Sequence, residues 1–201
     1  EHMDYEEDFI RYLGPIYAPS DPSYADKVLS LLGEARGLLG EETPVIEEPV
    51  INSVNAVVVI DPGHGGTRKV GGSSANNATS ASGVLEKTMN LDMALLVRTA
   101  LADIADNDPD LNLEIHLTRD REAHRGLTTR ANVARDRRAD VFLSIHFNGF
   151  NGSARGVETF VLPVQSGNVN IEDDRALAGR IQQRVYEAIK VHDPKTRDRK
   201  V

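Results

Sequence analysis

Two short apolar runs constrain this chain most. Residues 57–60 (Val57-Val58-Val59-Ile60) and residues 141–145 (Val141-Phe142-Leu143-Ser144-Ile145) are too short for buried helices and read as buried strands. Each gives way at once to a turn that carries a histidine. His64 lies in Asp61-Pro62-Gly63-His64-Gly65-Gly66, and His146 in Ser144-Ile145-His146-Phe147-Asn148-Gly149. If the strands are parallel neighbours in one sheet, both imidazoles emerge at its carboxyl edge, where open α/β sheets place their ligands. Two histidines aimed at one spot point to a metal site.

A third donor follows from the next periodic segment. From Leu85, the residues Met89, Met93, Leu96, Val97, Ala100 and Ile104 recur at helical spacing, which predicts an amphipathic helix with its stripe toward the sheet. Glu86 belongs to that stripe, in the first turn. A helix that follows a strand starts near the edge the strand has just left, so Glu86 should face the two histidines. The simpler reading is an acidic residue favoured by the helix dipole. Its inward placement argues for more, because a buried carboxylate without a partner is costly and a divalent cation would satisfy it.

Two histidines and a carboxylate with one open position form the donor set of catalytic zinc, which acidifies water to a pKa of roughly 7 and polarises carbonyl oxygens. The chain has no cysteine, so thiolate-rich structural sites are excluded. The chemistry indicated is hydrolytic.

The order of motifs gives the organisation. Strands are predicted at 56–60, 111–117, 141–146 and 156–162, and helices at 85–105, 126–137 and 172–190. Such alternation implies an α/β fold, with a mixed, largely parallel sheet and helices on both faces. Residues 67–82, rich in Gly, Ser, Asn and Thr, are expected to form a mobile loop over the metal edge. Residues 1–53 differ in character and read as a helical extension followed by an acidic, proline-containing linker, with the main domain at 54–201. The net charge of −8 argues against nucleic acid as a partner. No apolar stretch reaches membrane-spanning length. The arginines at 125, 130, 135, 137 and 138 read mainly as a solvated face, with contact to carboxylates of a substrate as the alternative.

Several ordered motifs then resemble one family. They are Val58-Val59-Ile60-Asp61-Pro62-Gly63-His64-Gly65-Gly66, Gly83-Val84-Leu85-Glu86-Lys87 with Asn90 and Leu91, and Leu117-Thr118-Arg119-Asp120. Leu127, Arg130, Ala131 and Asn132 follow, then residues 139–148 and Gly156-Val157-Glu158-Thr159-Phe160. Together they resemble the zinc-dependent N-acetylmuramoyl-L-alanine amidases, which cut cell-wall peptidoglycan. The resemblance implies one Zn2+ per chain on His64, Glu86 and His146, peptidoglycan as partner, a monomer, and a periplasmic or extracellular location with the export leader removed. It also implies a general-base glutamate on a later strand resembling Val-Glu-x-Gly-Phe, which would lie beyond Val201. Two readings stay open: a chain cut short of that C-terminal strand, or a natural form lacking part of its catalytic machinery.

The remaining residues divide as follows. His116 alternates with the apolar residues of its strand and reads as structural, while His124 and His192 are expected to be solvated. Glu158 shares a face with Phe160 and is either a hydrogen-bond partner behind a ligand histidine or a surface strand residue. Some family members carry a long insertion with a helix that plugs the zinc site. Residues 162–174 are too short and polar for one, so the cleft is expected to be open, with regulation by the N-terminal region or a protein partner. Two other functions compete with the amidase: another zinc peptidase acting on stem peptides, and a catalytically dead peptidoglycan-binding module.

Overall fold

The computed structural model describes residues 23, 26, 27, 29, 30, 53–149 and 155–201. The N-terminal extension expected before residue 53 falls largely outside these. The chain divides into two compact units, residues 1–149 and 150–201. The first is built on strands β1 (Val54–Pro62), β2 (Leu111–Leu117) and β3 (Val141–Ile145) and helices α1 (Glu86–Asn107) and α2 (Leu127–Arg137). The second contains a 3-10 turn (Val164–Ser166) and helix α3 (Ile171–His192).

Among the described residues the sheet has the order β2-β1-β3, with both pairings parallel. β1 is central because it is the most apolar run, and it registers Val58 against Ile115 on one side and Val141 on the other. Val58, Ile60, Ile115, Leu117, Val141 and Ile145 share a face with Ala94, Val97 and Leu101 of α1 packed on it. Val59 and Ile60 are fully buried, on opposite faces. Each contributes roughly 1.5–3 kcal/mol of apolar burial.

The connections explain why helices cover both faces. β1 leads through α1 to β2 on one side, and β2 leads through α2 to β3 on the other. Two right-handed crossovers running in opposite directions must pass over opposite faces. Accordingly α1 packs on the Val58 and Ile60 face, while Arg130 of α2 reaches Asp61, whose parity is that of Val59. The reversal leaves a crevice between the carboxyl ends of β1 and β3, the position favoured for ligands in open α/β sheets.

Helix α1 differs from the sequence expectation. Its buried residues are Glu86, Asn90 and Ala94, whereas Met93 and Ile104 of the predicted stripe are 39% and 50% exposed. The inward face therefore runs 86, 90, 94, 97, 101, and its first two turns are polar because they face the crevice rather than the apolar sheet. The helix start is capped from a distance. Lys87 N donates to Asn76 Oδ1 and Glu86 N to the Ala78 carbonyl, which satisfies two of the orphan amides of the first turn.

In the second unit, the strand predicted at 156–162 is not formed. Val157 makes an isolated parallel bridge with Asp198, and Thr159 N donates to the Lys200 carbonyl. Gln182 of α3 replaces a sheet neighbour as the stitch. Its amide donates to the Val157 carbonyl and to Asp198, and its oxygen accepts from Thr159 Oγ1. The Lys200 ammonium, followed by the Gln182 amide, holds the Asp198 carboxyl down to about 2.

Candidate metal centre

His64, Glu86 and His146 come together at the crevice, each offering a donor atom within 4.8 Å of the others. Glu86 Oε1 is the hub, 3.2 Å from His64 Nε2 and 3.1 Å from His146 Nδ1. The two imidazoles meet edge to face with centroids 4.8 Å apart. Glu86 is fully buried, His64 nearly so, and the His146 side chain is 40% exposed, so the cluster opens to one side.

Each donor is set by its local backbone. His64 sits at φ 62, a left-handed conformation that costs a non-glycine residue about 1–2 kcal/mol and turns the side chain sharply out of the β1 direction. Gly63 supplies the room, because a Cβ there would overlap the His146 ring. Behind the ring, His64 Nδ1 lies 2.9 Å from Ser74 Oγ and 3.2 Å from the Ser74 carbonyl. A carbonyl only accepts, so Nδ1 carries a proton, which leaves Nε2 as the ring nitrogen available to a metal. Glu86 is held the same way: Oε2 accepts from Ala78 N at 3.0 Å and Oε1 from Phe147 N at 3.2 Å, which aims Oε1 at the two imidazoles.

Burial is the largest influence on Glu86 and would raise its pKa. The His146 hydrogen bond, the charges of His64 and His146 and the Phe147 amide together outweigh it, and the carboxyl titrates below its ordinary 4.5. The carboxylate is thus kept ionised inside the fold.

Beneath the cluster lies a layer of buried polar side chains. Arg119 is 1% exposed and donates to the carbonyls of Pro62, Gly63, Lys87 and Arg121. Burial, ahead of any charge, lowers its pKa. Arg130 is 3% exposed and donates to Asp61 Oδ1 and to the carbonyls of Pro62, His64 and Arg125. Asp61 also accepts from Thr118 and Ser144. Asn90 Nδ2 donates to the Gly63 carbonyl at 3.0 Å.

Other sequence expectations are corrected here. Arg130 is no part of a solvated face, although Arg125, Arg135, Arg137 and Arg138 are exposed. His124 is not solvated, since its side chain fills the space beside Gly66, its Nε2 lies 3.3 Å from the Ser73 carbonyl and its Nδ1 is buried. His116 stands outside the cluster of His64, Glu86 and His146 and pairs with Glu114. The loop expected to arch freely is tied down at Ala75 by Gly65 N, at Gly71 by Leu127 N and at Ala78 by Glu86. Glu158, within the second unit, accepts from Arg199 Nε at 2.9 Å. Ser74 carries no sequence signature, whereas Asn90 and Arg119 stand in the motifs that carry the family resemblance with no role assigned to them there. Arg119 does follow the apolar run of β2 at the same sheet edge, so the rule that finds the two histidines also points to it.

The cluster fits a zinc ion on the chemistry of its donors. Two atoms bound tetrahedrally at about 2.1 Å lie about 3.4 Å apart. The two Glu86 contacts at 3.2 and 3.1 Å are close to that, the histidine donors, within 4.8 Å of each other, would draw together around an ion, and the open side leaves room for a further group.

Comparison with known proteins agrees with this geometry. The family model for N-acetylmuramoyl-L-alanine amidases matches residues 58–201. An uncharacterized cell wall amidase of Bacillus anthracis is 34% identical over 138 residues, which is 68% of this chain and 24% of that protein. The sporulation-specific N-acetylmuramoyl-L-alanine amidase of Bacillus subtilis is 33% identical over 106 residues, 53% of this chain and 36% of that protein. The chain thus spans between 24% and 36% of the length of these relatives. The crystal structure of an N-acetylmuramoyl-L-alanine amidase from Clostridium difficile 630 superposes with a TM-score of 0.52 at 28% identity, over 75% of this chain and 69% of that one. The chain belongs to the N-acetylmuramoyl-L-alanine amidase family.

Proposed function

We propose that the chain is a zinc-dependent hydrolase that cleaves the amide between the lactyl group of N-acetylmuramic acid and the L-alanine of the stem peptide in peptidoglycan. The carrying observation is the convergence of His64, Glu86 and His146 at the crevice between β1 and β3. One zinc ion per chain, held by these three, supplies Lewis-acid polarisation of the scissile carbonyl and acidification of water. The chain's own residues do the holding. Ser74 keeps His64 in its ligating tautomer, Ala78 fixes the Glu86 carboxylate, and the half-exposed His146 lines the side from which substrate enters. Glu158 stays with Arg199 in this reading and provides no ligand. Hydrolysis places the hydroxyl of water on the lactyl carbonyl carbon and its proton on the alanine nitrogen. Such a substrate puts the site of action outside the cytoplasm, in the periplasm or the extracellular wall.

Mass spectrometry of purified peptidoglycan treated with the zinc-loaded protein, extended past Val201 to carry the general-base glutamate that the family resemblance implies, tests this. The reading expects new L-alanine amino termini that disappear with a chelator. Release of free carboxy-terminal amino acids instead would indicate a stem-peptide peptidase. Binding of peptidoglycan with no new termini of either kind would indicate a non-catalytic module.

A further inference from the structure

Arg119 is placed where two ligand-bearing segments meet. Its Nη2 donates to the Gly63 carbonyl at 3.0 Å and to the Lys87 carbonyl at 2.7 Å. Gly63 immediately precedes His64, and Lys87 immediately follows Glu86. One nitrogen therefore joins the backbone beside one donor to the backbone beside the other. The same guanidinium anchors Pro62 through Nε at 3.0 Å and its own loop through Arg121.

The burial of this group calls for a reason. A buried cation is costly unless compensated, and among the described residues Arg119 has no carboxylate at salt-bridge distance. Arg130, by contrast, is paired with Asp61. Four main-chain carbonyls compensate Arg119, using four of its five N–H directions. A rigid planar fork suits that task, and the compact ammonium of lysine does not. The loop on the far side is shaped around it, since a Cβ on Gly65 would come within 3.1 Å of Arg119 Nε.

We propose that Arg119 is a positioning residue of the metal centre, its Nη2 bridge between Gly63 and Lys87 fixing the separation of His64 and Glu86. This rests on the reading of His64, Glu86 and His146 as a metal site. Residues that orient ligands typically change metal affinity about 10- to 100-fold when removed. Arg119 does so through backbone carbonyls rather than by touching a ligand side chain.

The test uses cobalt(II), which reports ligand geometry through its visible absorption, in the wild-type chain and in Arg119→Lys, Arg119→Gln and Leu101→Ala. Leu101 packs on the core far along α1 from Glu86, so its truncation is a destabilising control away from the site. Both Arg119 variants should bind cobalt(II) and zinc at least about tenfold more weakly, with altered cobalt bands. Leu101→Ala should keep wild-type affinity and spectrum. The inference is overturned if Arg119→Lys retains both, if Leu101→Ala loses affinity to the same extent, or if neither Arg119 variant folds. The last result would make Arg119 a requirement of the whole fold. A wild-type chain that takes up no cobalt(II) or zinc would instead remove the underlying reading of the site.

Discussion

Ser74 stands directly behind His64, its hydroxyl 2.9 Å and its carbonyl 3.2 Å from Nδ1. Two acceptors from one residue fix both the tautomer and the tilt of the ring. Ser74→Ala removes one and leaves the other, so it should weaken zinc binding by up to about tenfold while the protein stays folded. Competition with a calibrated chelator measures this. An unchanged affinity would mean that the carbonyl alone orients the ring.

The lack of a side chain at Gly63 makes room for the second histidine. In Gly63→Ala the added methyl would occupy the space of the His146 imidazole, and the ring would have to leave its place beside Glu86. Overpacking of this kind costs about 1–3 kcal/mol. Zinc content should fall together with the melting temperature of the metal-free protein. Full zinc occupancy in this variant would show that the crevice can widen without losing its donors.

Arg138 closes α2 in the left-handed conformation, φ 52, with its amide donating to the Ala134 and Arg135 carbonyls. Glycine adopts this conformation without the Cβ penalty, although it is also freer in the unfolded chain. Arg138→Gly should raise stability by about 0.5–1 kcal/mol, read from urea titration, with no change in zinc affinity. A destabilised variant would imply that the exposed guanidinium makes a contribution larger than the backbone strain.

The Glu86 carboxyl gives a pH dependence with a definite sign in the metal-free protein. Its folded pKa lies below the ordinary 4.5, because its histidine partners and the Phe147 amide overcome the effect of burial. Its contribution to stability is therefore fully present above 4.5 and is lost as the pH falls through the lower folded value. The unfolding free energies of wild type and Glu86→Gln should converge on acidification below that pH. A wild type that instead gains stability relative to Glu86→Gln on acidification would mean that the carboxyl is raised rather than lowered. When zinc is present the affinity should also fall on acidification, since protons compete for the imidazoles.

Much of this site was legible in the residues themselves. The apolar runs at 57–60 and 141–145 marked the two strands, and strand ends in a parallel sheet converge on one edge, which brought His64 and His146 together. Glu86 was found for a partly mistaken reason. The helix does turn it inward, but along the face of Asn90 and Ala94 rather than that of Met93 and Ile104. An apolar periodicity cannot reveal a face whose first two turns are polar because they serve a site. Arg130 departs from a solvated face for a similar reason: its charge is paired with Asp61, 69 residues away in the chain. Likewise the pairing of Val157 with Asp198 depends on Gln182, which no local pattern announces. Contacts between distant polar residues leave little local trace, whereas strand ends and glycine turns do.

The central claim is that His64, Glu86 and His146 hold one metal ion between them, and zinc stoichiometry of the purified protein tests it most directly. Wild type and His116→Ala should each carry about one equivalent, while His64→Ala, Glu86→Ala and His146→Ala, with the fold checked by circular dichroism, should lose most of it. Zinc retained at full occupancy by all three ligand variants, or lost equally by His116→Ala, would contradict the account.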